Sequence, residues 1–142
     1  MNTYSNFYSR VQNAQRAGDA LVQIPWSHKV WRLAIFLKRL KYIEDFEINT
    51  PEETPLLKDR KYFGRNSFKK GFPNITLHLI PGGFSHLQQV SKPSRRVIRK
   101  AKDINIHRKP YGSFIVSTNS GLLSCQEAKA MNLGGELMCE IY

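Results

Sequence analysis

The sequence predicts an α+β protein: an N-terminal α/β half, with two helices packed on a small sheet, and a mainly β C-terminal half with one short helix. Two patterns predict this division. Helix-period and strand-period runs of apolar residues alternate over about the first 90 residues, whereas strand-period runs dominate after residue 91. The chain has 142 residues, of which 41% are hydrophobic, so it can bury a core and is not a disordered tail.

The N-terminal half opens with alternating helices and strands. Phe7, Val11 and Ala14 fall at the i, i+4, i+7 spacing of one helix face. Ser27 is a residue type that caps helix N-termini, and an apolar stripe follows it. The expected elements, in order, are a helix over 3–17, a strand over 20–24, a helix from 28 to about 41, and a strand over 43–48.

A β-hairpin is expected next, over residues 75–90. Ile75, Leu77 and Leu79 alternate with their neighbours in the period of a strand. Pro81-Gly82-Gly83 is typical of a tight turn, so the segment 84–90 is expected to return alongside the first strand.

The C-terminal half is expected to be built mainly of strands, over 96–100, 113–117 and 136–142. Asn119-Ser120-Gly121 predicts a tight turn after the second of them. On the last strand, alternation places Leu137, Cys139 and Ile141 on one face.

One short helix precedes that last strand. Ser124 and Glu127 have the spacing of a capping box, which predicts a helix N-terminus at this point. The helix is expected to run through about residue 131 and to be ended by Gly134 at its C-cap.

The composition of the chain also suggests a division into two domains. Ser91-Lys92-Pro93-Ser94 has the character of a linker, which predicts an N-terminal domain over 1–91 and a C-terminal domain over 92–142. Within the first domain, an acidic, proline-bearing run followed by a basic run is typical of an inserted loop, at about 50–73.

The charge of the chain predicts a polyanionic partner. The formal net charge is +11, and every Lys and Arg except Arg10, Arg16 and Lys129 lies in the stretches 29–41, 58–70 and 92–109. Such an excess favours nucleic acid. An uncharged window of about 20 apolar residues is missing, so no spanning helix is expected. A membrane-surface protein acting through the 29–41 helix stays an alternative hypothesis.

Patterns for catalysis or metal binding are weak. Cys125 and Cys139 lack the spacing of a paired-thiol site, and the four His form no i, i+4 pair, so no metal and no cofactor are expected. No Gly-x-Ser-x-Gly elbow occurs. Glu44, Asp45 and Glu47 suggest a metal-dependent RNA-processing enzyme as the alternative function, although a solvated strand face is favoured.

The strongest local pattern combines small hydroxyl-bearing residues with glycines near the C-terminus. Such residues allow a close backbone approach, and their hydroxyls and amides suit ribose 2′-OH groups and base edges in the shallow RNA minor groove. The candidate RNA-binding residues of this pattern are Ser117, Thr118, Asn119, Ser120, Gly121, Gly135 and Glu136.

These residues carry a resemblance to a known family. The run 115–124, continuing through Glu127-Ala128 to 133–137, resembles the signature of the bacterial-type small-subunit ribosomal protein eight family. The N-terminal half is similar to that family as well. The matching stretches are Ser9-Arg10-Val11-Gln12-Asn13-Ala14, Ile24-Pro25-x-Ser27, Tyr42-Ile43-Glu44-Asp45-Phe46, and Val90-Ser91-Lys92-Pro93 with Arg96.

The resemblance implies a non-enzymatic protein that binds the central domain of small-subunit rRNA and helps to organise it during assembly. Its implied partners are that rRNA and neighbouring small-subunit ribosomal proteins, without a small-molecule substrate or a membrane. Together with the basic stretches, the resemblance adds further candidate RNA-binding residues: Lys92, Arg95, Arg96, Arg99, Lys29 and Arg10.

The sequence also departs from the family pattern. Ser120 stands where Lys or Gln is usual, Ile98 where an aromatic is usual, and His28 where Lys is usual. With the insertion at about 50–73 and no presequence expected before the first helix, this divergence resembles an organelle-encoded member of a mitochondrial ribosome, in the matrix. The bacterial cytoplasm is the alternative location.

Overall fold

The computed structural model describes residues 2–49 and 73–142, so the expected insertion lies outside the described residues except for Pro73. The elements, in chain order, are α1 (Thr3–Ala17), β1 (Leu21–Pro25), α2 (His28–Arg39), β2 (Ile43–Asn49), β3 (Asn74–Leu79), β4 (Leu87–Gln89), β5 (Ile98–Arg99), a 3-10 turn (Ala101–Asp103), β6 (Ser113–Thr118), β7 (Gly121–Ser124), α3 (Cys125–Ala130) and β8 (Gly135–Ile141). This order confirms the predicted α+β class.

Both N-terminal helices begin at side-chain caps. The Asn2 side chain accepts a hydrogen bond from the Tyr4 amide, and the Ser27 side chain accepts one from the Val30 amide. Helix α1 ends at Gly18, whose φ of 78° lies in the left-handed region. The predicted stripe of α1 is buried, which confirms the helix period read from the sequence.

The N-terminal sheet is antiparallel, in the order β1-β3-β2. Helices α1 and α2 pack on it and on each other. Phe7, Leu33, Leu37, Ile75 and Leu77 are fully buried between these layers. Burial of such side chains is worth about 1.5–3 kcal/mol each, so these contacts hold the half together.

The expected hairpin over 75–90 is wrong. The turn itself forms, because the Gly83 amide donates to the Ile80 carbonyl and Gly82 has a φ of 69°. However, β4 does not return beside β3; it pairs antiparallel with β8, Leu87 opposite Ile141. The turn therefore carries the chain from the first sheet to the second.

The second sheet has the order β4-β8-β6-β7, and β5 adds a short pairing to β8. The strand expected over 96–100 is only two residues long, Ile98–Arg99. One main core joins both sheets, since Ile115, Cys139 and Ile141 pack in the same cluster as the N-terminal helices. The domain boundary near residue 91 stays a prediction.

Strand β8 carries an irregularity that the alternation did not reveal. Ile115 lies opposite Cys139, but Val116 lies opposite Leu137, so Met138 is an extra residue in β8. As a result, Cys139 packs in the main core, whereas Leu137 packs against a smaller cluster around Val116. The prediction of one shared face is therefore wrong at Leu137.

Helix α3 confirms the predicted capping box and the predicted end near residue 131, but not the predicted C-cap at Gly134. The Ser124 side chain accepts from the Glu127 amide, and the Glu127 carboxylate accepts from the Ser124 amide. The C-cap is Met131, and Asn132 adopts a left-handed φ of 55°, so the helix ends before Gly134. Gly134 instead allows the backbone near Arg99 to approach closely, since a Cβ at 134 would lie only 2.8 Å from the Arg99 carbonyl oxygen.

Candidate nucleic-acid interface

The β6–β7 turn is held by the hydroxyl of Thr118. Its Oγ1 donates to the Gly121 carbonyl oxygen at 2.9 Å and accepts from the Ser120 amide at 3.2 Å. Gly121 has a φ of 102°, a conformation that glycine adopts without strain. Asn119 and Ser120 are exposed at the tip. The turn is therefore a fixed projection of small residues, with Asn119 and Ser120 exposed at its tip.

The two halves of the C-terminal motif meet across the β6–β8 ladder. Ser117 lies opposite Glu136, and a Cβ added to Gly135 would overlap the Ser117 carbonyl oxygen. Glycine is required at 135 because the backbones of β8 and β6 approach too closely for any side chain. The hydroxyl turn and Gly135-Glu136 thus lie side by side on neighbouring strands.

Ser91 fixes the Glu136 side chain. Ser91 is 5% exposed; its Oγ donates to Glu136 Oε1 at 2.6 Å and accepts from the Val97 amide at 3.2 Å. Glu136 is therefore an oriented acceptor on this surface. Sequence reasoning treated Ser91 only as part of a linker, because a contact over 45 positions has no local pattern.

Replacing Ser91 with alanine is expected to lower the free energy of unfolding by about 1–3 kcal/mol, because the Val97 amide loses its partner and Glu136 loses a donor. Thermal unfolding followed by circular dichroism measures this loss. Ser94→Ala is the matched control, since Ser94 is exposed and should leave stability unchanged. Equal stabilities of the two variants would contradict the positioning role of Ser91.

Basic side chains flank this surface on the chain between Ser91 and β5. Lys92 and Arg95 pair through two backbone hydrogen bonds of 3.0 Å, which closes a tight turn. Arg99 lies opposite Gly135 in the β5–β8 pairing. Arg95, Arg96 and Arg99 are exposed. A cleft of about 590 Å³, lined in part by Lys92, Arg95 and Arg99, opens beside them.

Lys29 approaches the same surface through Tyr4. Its Nζ lies 5.3 Å from the centroid of the Tyr4 ring. Burial raises the pKa of Tyr4, the nearby Glu136 carboxylate raises it further, and Arg32 lowers it. Tyr4 is therefore packed under Lys29 and within electrostatic range of Glu136, a proximity that has no local sequence pattern.

Arg10 lies elsewhere, beside β1. Its Nε donates to Asn6 Oδ1 at 3.0 Å, and its Nη1 donates to the Gln23 carbonyl oxygen at 3.3 Å. These two hydrogen bonds tie Arg10 to α1 and β1.

The acidic residues of β2 do not form a metal site. Asp45 binds Lys38 Nζ at 2.7 Å, and the hydrogen bond from Lys38 lowers the pKa of its carboxyl. Glu47 lies 3.4 Å from His78. Within residues 2–49 and 73–142, no group of three or more His, Cys, Asp or Glu could hold a metal ion. The alternative of a metal-dependent RNA-processing enzyme is therefore not supported.

Every helix within residues 2–49 and 73–142 is too short or too polar to cross a membrane.

Comparison with known proteins decides the family. The sequence matches the family described as Ribosomal protein S8 over residues 2–142. The chain belongs to the ribosomal protein S8 family. This confirms the resemblance read from the C-terminal motif and agrees with the expectation that the chain is not an enzyme.

Relatives in the ribosomal protein S8 family cover nearly the whole chain. The small ribosomal subunit protein uS8 of Oleidesulfovibrio alaskensis is 36% identical over 138 residues, covering 97% of this chain and 95% of the relative. That of Alcanivorax borkumensis is 31% identical over 140 residues, covering 99% and 96%. That of Neisseria meningitidis serogroup C is 31% identical over 135 residues, covering 95% and 92%.

Proposed function

We propose that this protein is a structural constituent of the small ribosomal subunit that binds the central domain of its rRNA, supports subunit assembly and translation, and catalyses no reaction. The observation that carries the proposal is the meeting of the hydroxyl turn with Gly135-Glu136, beside an exposed basic flank. Family membership supports it. Neighbouring small-subunit proteins are the other partners.

Basic residues and small residues contribute differently to RNA binding at this interface. Lys92, Arg95, Arg96 and Arg99 neutralise phosphates, which supplies most of the affinity, and Lys29 extends this basic flank past Tyr4. The small residues at the turn and strand ends supply selectivity, because they fit a shallow, irregular RNA surface closely. The residues that contact RNA by fit are Ser117, Thr118, Asn119, Ser120, Gly121, Gly135 and Glu136. Arg10 binds a separate phosphate on the β1 side.

Ile98 changes the kind of contact at one edge of this interface. Ile98 lies opposite Glu136 and is 66% exposed. An aliphatic side chain at this position packs against a ribose or base edge, where an aromatic ring would stack. Ile98 therefore contributes to RNA binding through van der Waals packing and not through stacking.

Binding to a central-domain rRNA fragment is expected to weaken steeply with salt. If about six phosphates are neutralised, log K falls with log salt at a slope of roughly −5. Arg96→Gln should make the slope shallower by about 1, because one phosphate contact is lost. Filter binding at several salt concentrations measures both values.

The control for that series is Arg16→Gln, since Arg16 is exposed at the end of α1, outside the basic stretches. It should leave the slope unchanged. An rRNA affinity that does not depend on salt would contradict the assignment of phosphate contacts. Equal salt slopes for Arg96→Gln and Arg16→Gln would contradict it as well.

We propose further that the ribosome in question is mitochondrial. The insertion at about 50–73 and the departures at His28, Ile98 and Ser120 support this location. The relatives named above are bacterial proteins, which favours the bacterial cytoplasm as the alternative. Sequencing the small-subunit rRNA that co-purifies with the tagged protein separates the two: mitochondrial rRNA is expected, and bacterial rRNA would overturn the proposal.

A further inference from the structure

A second surface, away from the hydroxyl turn, carries an exposed aromatic ring. Tyr111, on the loop that precedes β6, is 88% exposed. Its neighbours Tyr42 and Tyr142 lie near the C-terminal end of β8, whereas Glu136 lies at the other end. The intervening six steps of strand span about 20 Å. This surface is therefore separate from the interface described above.

The loop that presents Tyr111 is held in place by specific contacts. The Tyr42 hydroxyl donates to the Tyr111 carbonyl oxygen at 2.6 Å, and the Gly112 amide donates to the Lys109 carbonyl oxygen at 3.0 Å. Gly112 packs against the His107 ring so closely that a Cβ would overlap it. His107 Nε2 in turn lies 2.8 Å from Glu140 Oε1. The loop backbone around Tyr111 is thus held by hydrogen bonds, while the Tyr111 ring is exposed to solvent.

The aromatic neighbour of Tyr111 is already engaged, whereas Tyr111 is not. The Tyr142 ring stacks on His86, with centroids 4.8 Å apart and planes inclined by 23°, and Lys109 Nζ lies 3.7 Å from its centroid. In the part of the chain that the structure describes, the Tyr111 side chain makes no ring contact and no hydrogen bond. As far as the described residues are concerned, both faces of the ring are open to a ligand.

The surroundings of Tyr111 are cationic. A cleft of about 650 Å³ beside Tyr111 and Tyr142 is lined by described residues among which Lys41 has the one charged side chain. Arg108 and Lys109 precede Tyr111 on the loop and are exposed. Glu140 is the nearest acid on β8 and is paired with His107. Gly82 and Gly83 leave one wall of the cleft without side chains.

We propose that Tyr111 is a stacking platform for an unpaired RNA base, with Lys41 and Lys109 binding the flanking phosphates. The proposal rests on the proposed function, because it gives the same RNA partner a second point of contact. A free aromatic face beside cations is how proteins bind unpaired bases. The positive charge around the cleft favours RNA over an apolar segment of a neighbouring protein.

The test compares two fluorescent probes in anisotropy titrations: a 12-nucleotide oligoadenylate and an abasic oligomer of the same length. The abasic probe keeps the phosphates and removes stacking. The full-length protein should bind oligoadenylate more tightly than the abasic probe. Tyr111→Ala should weaken oligoadenylate binding by about 5- to 100-fold with little effect on the abasic probe.

Tyr111→Phe is the matched control, since it keeps the ring and should bind as the unchanged protein does. Because the Tyr42 hydroxyl binds the backbone of Tyr111, both variants should fold and unfold at the same temperature. Equal discrimination between the probes by Tyr111→Ala and the unchanged protein would overturn the proposal.

Two further outcomes separate this inference from its alternatives. If small subunits carrying Tyr111→Ala lose a neighbouring protein while probe discrimination is unchanged, the cleft binds that protein and the RNA proposal is wrong. Binding of the central-domain rRNA fragment is measured alongside. Failure of that binding, with Tyr111-dependent stacking retained, counts against the proposed function and supports the stacking site.

Discussion

Gly135→Ala is expected to be the most damaging single substitution in the C-terminal half. The new Cβ would overlap the Ser117 carbonyl oxygen, a backbone atom that cannot rotate away. Overpacking of this kind costs about 1–3 kcal/mol, and we expect the upper end of that range. The midpoint of thermal unfolding should fall by roughly 6–12 °C, as measured by circular dichroism. Binding to the rRNA fragment should fall with it, because Ser117 and Glu136 are forced apart.

Gly18→Ala provides the control for this substitution. Gly18 has a left-handed φ of 78°, but nothing lies within 4 Å of a Cβ placed there. Alanine in that conformation costs about 1–2 kcal/mol, from backbone strain alone. Rank order is the decisive result: if Gly135→Ala were no more destabilising than Gly18→Ala, the close approach of β8 to β6 would be disproved.

Ser117→Trp is expected to have the largest effect on RNA selectivity. Ser117 is half-buried opposite Glu136, and within the described residues its hydroxyl has no hydrogen-bond partner. A bulky ring here would separate the hydroxyl turn from the RNA, so that several direct hydrogen bonds are lost. We expect cognate rRNA binding to weaken by about 100-fold, the equivalent of roughly 3 kcal/mol. Random RNA of equal length should bind within about twofold of its original affinity, because phosphate contacts remain.

Ser117→Ala separates bulk from chemistry at the same position. It removes one hydroxyl without adding volume, so cognate binding should weaken by only about fivefold. Equal losses of cognate and random RNA binding in Ser117→Trp would show that the variant disturbs charge or folding instead of fit, and Ser117 would lose its assigned role.

Elements with strong local patterns could be predicted from the sequence. The capped helix from residue 28, the Thr118–Gly121 turn and the capping box at Ser124 each depend on residues within a few positions of one another, so their patterns are complete in the local sequence. The C-terminal motif was recognisable for the same reason: its order and spacing lie within one short stretch of the chain.

Features that depend on distant contacts could not be predicted this way. Strand β4 pairs with β8 rather than β3. This pairing could not be predicted, because β8 lies about 50 positions further along the chain and nothing in 84–90 identifies it as the partner. The local pattern at Gly134 predicts a helix cap, whereas it is the close approach of the Arg99 backbone that requires glycine there. The bond between Ser91 and Glu136 joins the linker to the interface and was missed for the same reason.

The location of the tagged protein in a sucrose gradient of cell or organelle extract tests the central claim most directly. The account predicts that the protein sediments with the small ribosomal subunit and that central-domain rRNA is protected next to it, with the Ser117→Trp variant shifted toward the top of the gradient. Unchanged protein that stays at the top of the gradient, or that sediments with particles lacking small-subunit rRNA, would contradict the account.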